Sequence, residues 1–525
     1  MAEFIRAEEA AALLKDGMTV AVGGFGAYAA PDELLAQVAR SYEQTGSPRN
    51  LTVVAGISPG SNSKNGQGLS KWKTKGLIDT MIAGHFANPP EIAEMIGENL
   101  IAGYALPLGV MIHLFRAAAG HKPAVVTHVG LGTFADPRVE GCKANQKAVD
   151  QGRDIVELIH LDGKEYLAYK TFPIDACLIR GTYADEDGNI SMCQEAVGDY
   201  AFEIAAAVHN SGGKVIVQVQ DVVKSGTLHP KHLHIHHPMV DYVVKASDPA
   251  LHMQGYAAQY RPELPGETKK PVNALEAMPL DCRKVIARRG AMELEPGCLI
   301  NLGIGIPSGV GSVANEEGIG GDVTLSLESG PQGGVPVEGA GFGAAVNAEI
   351  IYDVASVFDL YDGGVLSMTC LGAAEIDTDG NVNVSKFGTR CTGPGGFINI
   401  SQNTKKVYFM GTFTAGGLKA DISDGKLTIL REGASKKFIR SVQQITFSGQ
   451  YARQSGQQVT YITERAVFRL TDKGLTLTEI APGVDLQRDI LNQMEFEPII
   501  APDLKQMDPR IFCDKPMGLA ADRKD

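Results

Sequence analysis

The sequence lacks the features of a membrane-spanning, secreted or nucleic-acid-binding protein. Its 525 residues include 48 Lys and Arg against 61 Asp and Glu, a formal net charge of −13. So acidic a chain is poorly suited to nucleic acid or to anionic membranes. The longest apolar stretch, residues 100–115, contains Pro107 and His113 and is too short to span a bilayer. The N-terminus is too charged for a signal peptide.

Closely spaced cysteines are also missing. Among the eight cysteines the nearest neighbours, such as Cys177 and Cys193, are 16 residues apart in the sequence. This spacing excludes a CxxC motif, the usual spacing of zinc ligands and a dense disulfide framework. We therefore expect a cytoplasmic enzyme with reduced thiols and without a metal site.

What the chain does contain is an internal repeat. Residues 17–31 and 297–309 each run from a glycine through an apolar strand into a glycine-rich turn, at an offset of 280. Two further segments recur at an offset of 192: 187–189 (Asp-Gly-Asn) at 379–381, and 214–217 at 406–409. Two matches in one register indicate two related halves. The difference between the offsets gives the first half 88 additional residues.

Short apolar segments alternate with helical periodicities such as that of residues 31–39. The predicted strands are Thr19–Val22, Leu51–Ala55, Val215–Val219, Leu299–Leu302, Val323–Leu327 and Val407–Met410. This alternation predicts an α/β protein with two related open domains, each a mostly parallel sheet covered by helices. The predicted boundaries are 1–228, a connecting segment at 229–280, and 281–525. Ligands are expected at the carboxyl ends of the strands.

Three motifs point to other chemistry but are weak. Residues 24–29 fit the dinucleotide pattern GxGxxA, but the next strand ends without the acid that would hold a ribose. Residues 56–60 fit the hydrolase pattern GxSxG, but Pro59 follows Ser58 and has no N–H to serve as an oxyanion donor. Five histidines crowd residues 229–237, where a solvated connection is favoured over a metal cluster because no Cys or carboxylate alternates with them.

Glu328 is the best candidate for a catalytic residue. It ends the predicted strand at 323–327 and is followed by a glycine-rich turn. A carboxylate there is exposed to a ligand, while its surroundings are mostly backbone. Aligning Thr52 with Thr324 places Gly56 opposite Glu328, so only one half should catalyse. The glycine turns at 303–307 and 393–397 could supply amides to developing negative charge.

With these residues in place, the chain resembles the family I coenzyme A transferases of the single-chain type. More narrowly, it resembles the acetate/propionate CoA-transferases that act on short-chain acyl-CoA. The resemblance extends over nearly the whole chain and is carried by these segments: 23–26, 130–138, 228–231, 328–330, 395–398, 437–440 and 461–468.

The resemblance implies a ping-pong reaction in which Glu328 is the covalent nucleophile. Its carboxylate would attack the donor thioester to give an acyl–glutamyl anhydride, and the CoA thiolate would then form a γ-glutamyl-CoA thioester. An incoming carboxylate would reverse the sequence. Because thioester exchange is nearly thermoneutral, neither ATP, a metal nor a redox cofactor is expected, and CoA itself is a substrate.

The resemblance also implies roles for other residues. Oxyanion-hole amides are expected at Ile304, Gly395 and Gly396. The expected substrate-binding residues are Gly23, Gly24, Gly26, Gly303, Gly305, Leu108, Ser329 and Gly330. Leu108 departs from the family pattern, in which glutamine often occupies this place, and an altered acyl specificity is expected from that change.

The expected partners are an acyl-CoA and a carboxylic acid, with neither nucleic acid nor a membrane. The resemblance also implies a homo-oligomer and suggests a tetramer. Two other enzymes of the same fold stay open: an acyl-CoA hydrolase, in which water resolves the glutamyl thioester, and a 3-oxoacid CoA-transferase. A CoA-binding sensor is the non-enzymatic alternative, and the presence of Glu328 argues against it.

Overall fold

The computed structural model describes residues 2–271 and 277–523. The chain divides into two compact units. Unit 1 consists of Met1–Lys270, Leu327–Asp359 and Ser385–Asn399, and unit 2 consists of Pro271–Ser326, Leu360–Val384 and Ile400–Asp525. The chain therefore passes from one unit to the other several times.

Unit 1 is built on an eight-stranded sheet. Its strands are β1 (Glu3–Phe4), β2 (Thr19–Val22), β3 (Leu51–Ile57), β4 (Ile78–His85), β5 (Ala102–Ala105), β6 (Ala176–Arg180), β7 (Lys214–Val219) and β8 (Tyr242–Lys245). They lie in the order β1-β8-β7-β6-β2-β3-β4-β5, and every neighbouring pair is parallel. The central strands are mostly apolar and buried, as expected for a parallel sheet covered on both faces.

The sheet of unit 1 is accompanied by helices and smaller sheets. The helices are α1 (Ala7–Leu13), α2 (Asp32–Thr45), α3 (Pro90–Gly97), α4 (Leu108–Ala119), α5 (Gln146–Asp150) and α6 (Ala201–Asn210). Helix α4 buries Val110, Ile112 and Phe115 and packs against α6. A three-stranded sheet consists of Ala124–Thr127, Val156–Leu161 and Lys164–Lys170. A four-stranded sheet consists of Tyr183–Asp185, Ile190–Ser191, Asp221–Val223 and Leu233–Ile235.

Unit 2 is built on a second eight-stranded sheet. Its strands are β9 (Leu299–Leu302), β10 (Thr324–Leu325), β11 (Met368–Gly372), β12 (Lys406–Met410), β13 (Gln458–Ile462), β14 (Ala466–Thr471), β15 (Gly474–Ile480) and β16 (Ile499–Gln506). Their order is β10-β9-β11-β12-β13-β14-β15-β16, with antiparallel pairing at β13–β14 and β14–β15. Val285, Ile300 and Phe512 are fully buried in its core.

The remaining helices are α7 (Cys282–Ala291), α8 (Gly309–Glu316), α9 (Val354–Asp362), α10 (Phe397–Asn403), α11 (Gly449–Ser455) and α12 (Leu519–Asp522). Short two-stranded pairs complete the structure: Pro331–Gln332 with Ile350–Ile351, Val335–Pro336 with Ala345–Val346, Glu375–Ile376 with Val382–Asn383, Lys386–Phe387 with Arg390–Cys391, Thr414–Ala415 with Ser435–Lys436, and Lys419–Ser423 with Lys426–Arg431. In the part of the chain described, no helix is long and apolar enough to cross a membrane.

The predicted fold class and duplication are confirmed. Five parallel strands have the same order in both units, β8-β7-β6-β2-β3 in unit 1 and β13-β12-β11-β9-β10 in unit 2. The two Asp-Gly-Asn turns also make the same bonds: Asn189 N donates to Asp185 Oδ1 at 2.9 Å, and Asn381 N donates to Asp377 Oδ1 at 3.0 Å. Equivalent strands and equivalent turns therefore come from one repeated unit.

The predicted domain boundaries need correction. The segment 229–280 is not merely a connection, because Tyr242–Lys245 within it is a strand of the first sheet. Glu328 does not group with a domain at 281–525, since residues 327–359 belong to unit 1. The predicted strand 323–327 is shorter than expected, because the chain turns away directly after Ser326. The other predicted strands are found within two residues of their expected bounds.

Candidate active site

Glu328 lies in the middle of a tight turn. The turn is closed by two backbone hydrogen bonds: Leu327 N donates to Pro331 O at 2.9 Å, and Gly330 N donates to Leu327 O at 3.1 Å. Glu328 and Ser329 are therefore the two central residues of the turn, and the Glu328 side chain is partly exposed.

Backbone from two other segments holds this turn. Gly198 N donates to Ser329 O at 2.8 Å, and Tyr352 N donates to Gly330 O at 3.1 Å. A Cβ on Gly198 would collide with the Tyr352 carbonyl oxygen, and a Cβ on Gly330 would lie 2.5 Å from the same atom. Only glycine permits main chain to approach main chain this closely. The position of Glu328 is thus set by backbone contacts.

Ser329 and Gly330 help to hold the turn. Ser329 is 1% exposed, and its hydroxyl donates to Gly343 O. The backbone groups of Gly330 are used in the bonds just described. Contact of these two residues with the substrate stays a prediction.

The electrostatic environment of Glu328 is unusual. In the described part of the chain its carboxylate has neither a hydrogen-bond partner nor an ion-pair partner. Burial raises the pKa of Glu328 to about 7, because a low-dielectric surrounding disfavours the charged form. A carboxylate that ionises near neutrality and lacks solvating partners is reactive toward an electrophilic carbon.

The first glycine turn follows β2 in the same unit. Gly23 N donates to Leu178 O at 2.9 Å, so this amide is used within the sheet. Gly26, at φ +59°, accepts a hydrogen bond on its carbonyl from Gly60 N at 2.9 Å. Gly24, at φ +109°, occupies a backbone conformation that side chains rarely adopt.

Tyr200 connects this turn to the Glu328 turn. Its hydroxyl donates to Gly24 O at 2.8 Å and accepts from Gly56 N at 3.1 Å. Tyr200 lies two residues after Gly198, whose amide donates a hydrogen bond to Ser329 O. The first glycine turn and the Glu328 turn are therefore fixed to the same short segment at the carboxyl edge of the sheet.

The Gly393–Gly396 turn meets the end of β4. Gly395 N donates to Gly84 O at 2.8 Å, and Leu108 N donates to Gly395 O at 3.0 Å. The amide of Gly395 is therefore already hydrogen-bonded within the protein, and the prediction that it serves as an oxyanion donor is corrected. The amide of Gly396 has no partner among the described residues, so it stays the candidate donor. Leu108 is fully buried at the start of α4.

The turn at 303–307 belongs to unit 2. Gly303 N donates to Cys370 O at 2.8 Å, Ile304 is 67% exposed, and Gly305 has φ +87°. The role of the Ile304 amide and the substrate contacts of these glycines stay predictions.

Two of the three weak motifs can be placed in the structure. Ser58 is fully buried, so its hydroxyl is not a nucleophile open to a substrate. Within the described ranges no group of His, Cys, Asp and Glu side chains could hold a metal ion, and this includes the histidines at 229–237.

Four residues of this edge escaped the sequence analysis: Gly198, Asp199, Tyr200 and His85. Burial, with Glu195 nearby, raises the pKa of Asp199 to about 7. His85 is the last residue of β4. The only local signals were a glycine before an alanine-rich helix and a histidine at the end of an apolar strand, and both are common in structural positions.

Comparisons with known proteins agree with this geometry. Residues 4–246 match the family model described as coenzyme A transferase. The chain is 45% identical over 524 residues to caffeate CoA-transferase of Acetobacterium woodii, covering 99% of each chain. It is 44% identical over 516 residues to acetate CoA-transferase YdiF of Escherichia coli strain K12, covering 98% of this chain and 96% of the relative.

A crystal structure is similar over the same span. It is the acyl-CoA transferase YdiF of Escherichia coli O157:H7 in a thioester complex with CoA. Its TM-score is 0.92 at 42% identity, with 98% of this chain and 97% of that chain covered.

Proposed function

Because the chain belongs to the coenzyme A transferase family and is a CoA-transferase, we propose that it moves CoA between a short-chain acyl-CoA and a carboxylate such as acetate or propionate. The transfer passes through a glutamyl-CoA thioester on Glu328. The name of the relative from strain K12, an acetate CoA-transferase, and the thioester complex of the structural relative support this proposal.

The observation that carries the proposal is the state of the Glu328 carboxylate. It is partly exposed at the tip of a rigid turn, and in the described chain no cation or hydrogen-bond donor neutralises it. An ordinary structural carboxylate is paired or fully solvated. Glu328 is neither, which suits a group that must attack a thioester carbon.

The chemistry balances without a proton donor or an oxidant. A Glu328 oxygen attacks the thioester carbon, the C–S bond breaks, and CoA leaves as the thiolate. The thiolate then attacks the glutamyl carbonyl carbon, and the acyl group leaves as a carboxylate. One carboxylate is exchanged for another at the end of the cycle, and Glu328 returns to its starting form.

Each attack passes through an oxyanion that needs hydrogen-bond donors. The unpartnered amide of Gly396 is a suitable donor, since a preorganised amide requires no rearrangement during the reaction. The exposed Ile304 segment is a further candidate. Removal of one such donor costs on the order of 100-fold to 1,000-fold in kcat in other enzymes.

The surroundings favour an uncharged acyl chain. Gly84, Gly395 and the buried Leu108 lie together at the end of β4. Burial alone accounts for the raised pKa of Glu328, with no contribution from a cation. Among the described residues, no cation lies beside Glu328 to pair with a second carboxylate on the substrate, and desolvating an unpaired carboxylate is costly. We therefore propose monocarboxylates as the substrate class.

Intact-mass spectrometry of the full chain tests this function. Incubation with acetyl-CoA should add the mass of a CoA adduct, and peptide mapping should locate it at Glu328. Borohydride should inactivate enzyme pretreated with acetyl-CoA and spare untreated enzyme. Turnover without any adduct at Glu328 would refute the mechanism.

An acceptor panel tests the substrate class. Acetate, propionate, butyrate, lactate, acetoacetate, succinate and caffeate should be compared against one acyl-CoA donor, and we expect the short monocarboxylates to lead. A preference for acetoacetate would favour the 3-oxoacid alternative. Stoichiometric release of free CoA without an acceptor acid would favour the hydrolase alternative.

Three further properties are proposed on general grounds. The near-thermoneutral exchange requires neither a metal nor a redox cofactor. The eight cysteines are all free thiols, which suits the reducing cytoplasm. A homo-oligomer is expected because most metabolic enzymes of this kind associate symmetrically.

A further inference from the structure

His85 is a polar residue near the candidate site that has no role in the reaction described above. It is the last residue of β4, next to Gly84, at the edge of the sheet where the substrate is expected. The residue is partly exposed, but its Nδ1 is buried and has no hydrogen-bond partner among the described residues. Nε2 is likewise unbonded but is not among the buried atoms. The open nitrogen of the ring is therefore Nε2.

The open edge of the ring faces the Gly393–Gly396 turn. A Cβ placed on Gly395 would lie 4.0 Å from His85 Cδ2, the ring carbon bonded to Nε2. The neighbouring Gly396 carries the amide that has no partner in the described chain. The Gly396 amide, which has no hydrogen-bond partner in the described chain, and the Nε2 side of the His85 ring therefore lie at the same turn.

The imidazole is held neutral. Burial, and to a lesser extent the Arg390 guanidinium, lowers the pKa of His85 to about 4. A neutral imidazole carries a single ring proton. Placing that proton on Nδ1 would bury an unpaired N–H, which proteins rarely tolerate. The favoured tautomer therefore carries its proton on Nε2, the open nitrogen.

We propose that His85 donates a hydrogen bond from Nε2 to the acyl oxygen of the substrate, as the side-chain partner of the Gly396 amide. This inference rests on the proposed attack by Glu328. During that attack the electron pair of the acyl C=O moves onto oxygen and returns when the C–S bond breaks. His85 stabilises the oxygen while it is negative and keeps its own proton throughout.

The neighbouring residue 108 cannot supply a side-chain donor at this edge. Leu108 packs against Gly84, where a Cβ would lie 3.1 Å from Leu108 Cα, and it offers no donor. His85 extends from the adjacent residue and supplies one. Such a donor binds the thioester carbonyl oxygen, which all acyl-CoA substrates share. It therefore does not distinguish acyl chains by length.

Substitution separates donation from packing. His85→Leu keeps bulk but removes the donor, and we expect kcat to fall by about 100-fold. His85→Gln retains an N–H at similar reach and cannot titrate, so we expect it to recover to within about tenfold of the original activity. His113→Gln is the matched control, because His113 on α4 pairs with Asp359 on α9, and this substitution should leave activity unchanged.

Two readouts distinguish hydrogen-bond donation from packing and from titration of His85. Single-turnover formation of the Glu328–CoA adduct, followed by intact mass, should slow in His85→Leu and largely recover in His85→Gln. The acid limb of kcat/KM should stay at the same pH in His85→Gln, because the limb belongs to Glu328 and His85 stays neutral there.

Several outcomes would overturn the proposal. Equal impairment of the two His85 variants, each with an unchanged melting temperature, would assign the residue to packing. An unchanged adduct rate in His85→Leu, or loss of the acid limb in His85→Gln, would also refute it. If the original enzyme turned over without an adduct at Glu328, the proposed function itself would fail, which is a distinct result.

A measurement on the unaltered enzyme covers the case in which the variants do not fold. Long-range ¹H–¹⁵N spectra of histidine-labelled enzyme report which ring nitrogen carries the proton. We expect an Nε2-protonated tautomer for His85 at neutral pH, with a shift when acetyl-CoA is added. An Nδ1-protonated tautomer, or a signal insensitive to acetyl-CoA, would contradict the proposal.

Discussion

Strands β3 and β10 occupy matching positions in the two sheets, but the chain that follows them differs. After β3 the backbone is enclosed: a Cβ on Gly56 would lie 2.8 Å from the Ile112 side chain and 2.9 Å from that of Tyr200. After β10 the chain turns at Leu327 and presents Glu328, partly exposed and unpaired within the described chain. In the first copy, side chains pack against the backbone that follows the strand, whereas in the second copy the strand is followed by the reactive carboxylate of Glu328.

The comparison extends to the neighbouring strands. The first sheet continues beyond β3 with β4 and β5, whereas β10 is the edge strand of the second sheet. The additional strands and α4 carry Gly84, His85 and Leu108, which lie close together at the edge of the sheet where the substrate is expected. The two units thus share one framework, but β4 and β5 extend only the first sheet, and Glu328 follows only β10.

Removing the carboxylate should have the largest effect. Glu328→Gln makes the second copy as unreactive as the first, and we expect transfer from propionyl-CoA to acetate to fall about 10,000-fold or more, because an amide cannot form the anhydride. Glu349→Gln, exposed in the same segment, is the control and should retain activity. Activity of Glu328→Gln within tenfold of the original would place the nucleophile elsewhere.

Displacing the turn should have the next largest effect. In Gly198→Ala the new Cβ meets the Tyr352 carbonyl oxygen, so the Glu328 turn must shift. A misplacement near 1 Å can cost about 100-fold in rate, and we expect a loss of that size in kcat with the chain still folded. Gly321→Ala, where a Cβ meets open space, is the matched control. Full activity in Gly198→Ala would show that the backbone contact does not position the nucleophile.

Transplanting the acid into the first copy should fail. Gly56→Glu forces a side chain against Ile112 and Tyr200, and overpacking of this kind costs about 1–3 kcal/mol of unfolding free energy. Urea denaturation measures the loss, and intact mass should show a single CoA adduct per chain. Two adducts on a protein of unchanged stability would mean that the copies differ in this one residue alone.

The titration of Glu328 gives a smaller, graded effect. Because the reactive form is ionised and the pKa is raised to about 7, the rate should be constant above that pH and fall as the pH drops through it. The expected slope is about tenfold per pH unit. Adduct formation from acetyl-CoA is the suitable measurement, since a thioester does not titrate in this range. A limb near 4.5, the ordinary carboxyl value, would contradict the desolvated environment.

Much of the framework could be predicted from sequence because its signals are local. Thr19–Val22 and Leu299–Leu302 are short apolar runs bounded by turn residues, and they form strands with the expected bounds. Glu328 was found for a similar reason, since an acid between an apolar strand and a glycine cluster is conspicuous. The Asp-Gly-Asn turns kept both their spacing and their bonding in the two halves.

The remainder depends on contacts between distant parts of the chain. Nothing near Gly198 in the sequence indicates that its amide bonds Ser329, and nothing near Gly395 indicates that its amide is used by Gly84. The assignment of residues 327–359 to unit 1 likewise follows from packing. His85 was overlooked because a histidine at the end of an apolar strand is more often a core residue than a ligand contact.

The way in which the Glu328 turn is held also suggests how such an enzyme can diversify. Its anchors are amides and carbonyls, at Gly198, Gly330 and Tyr352, and the identity of most surrounding side chains does not enter. Mutations that reshape the acyl pocket can therefore accumulate without dislodging the reactive carboxylate. Relatives of this chain named for acids as unlike as acetate and caffeate are what an evolvable scaffold of that kind would produce.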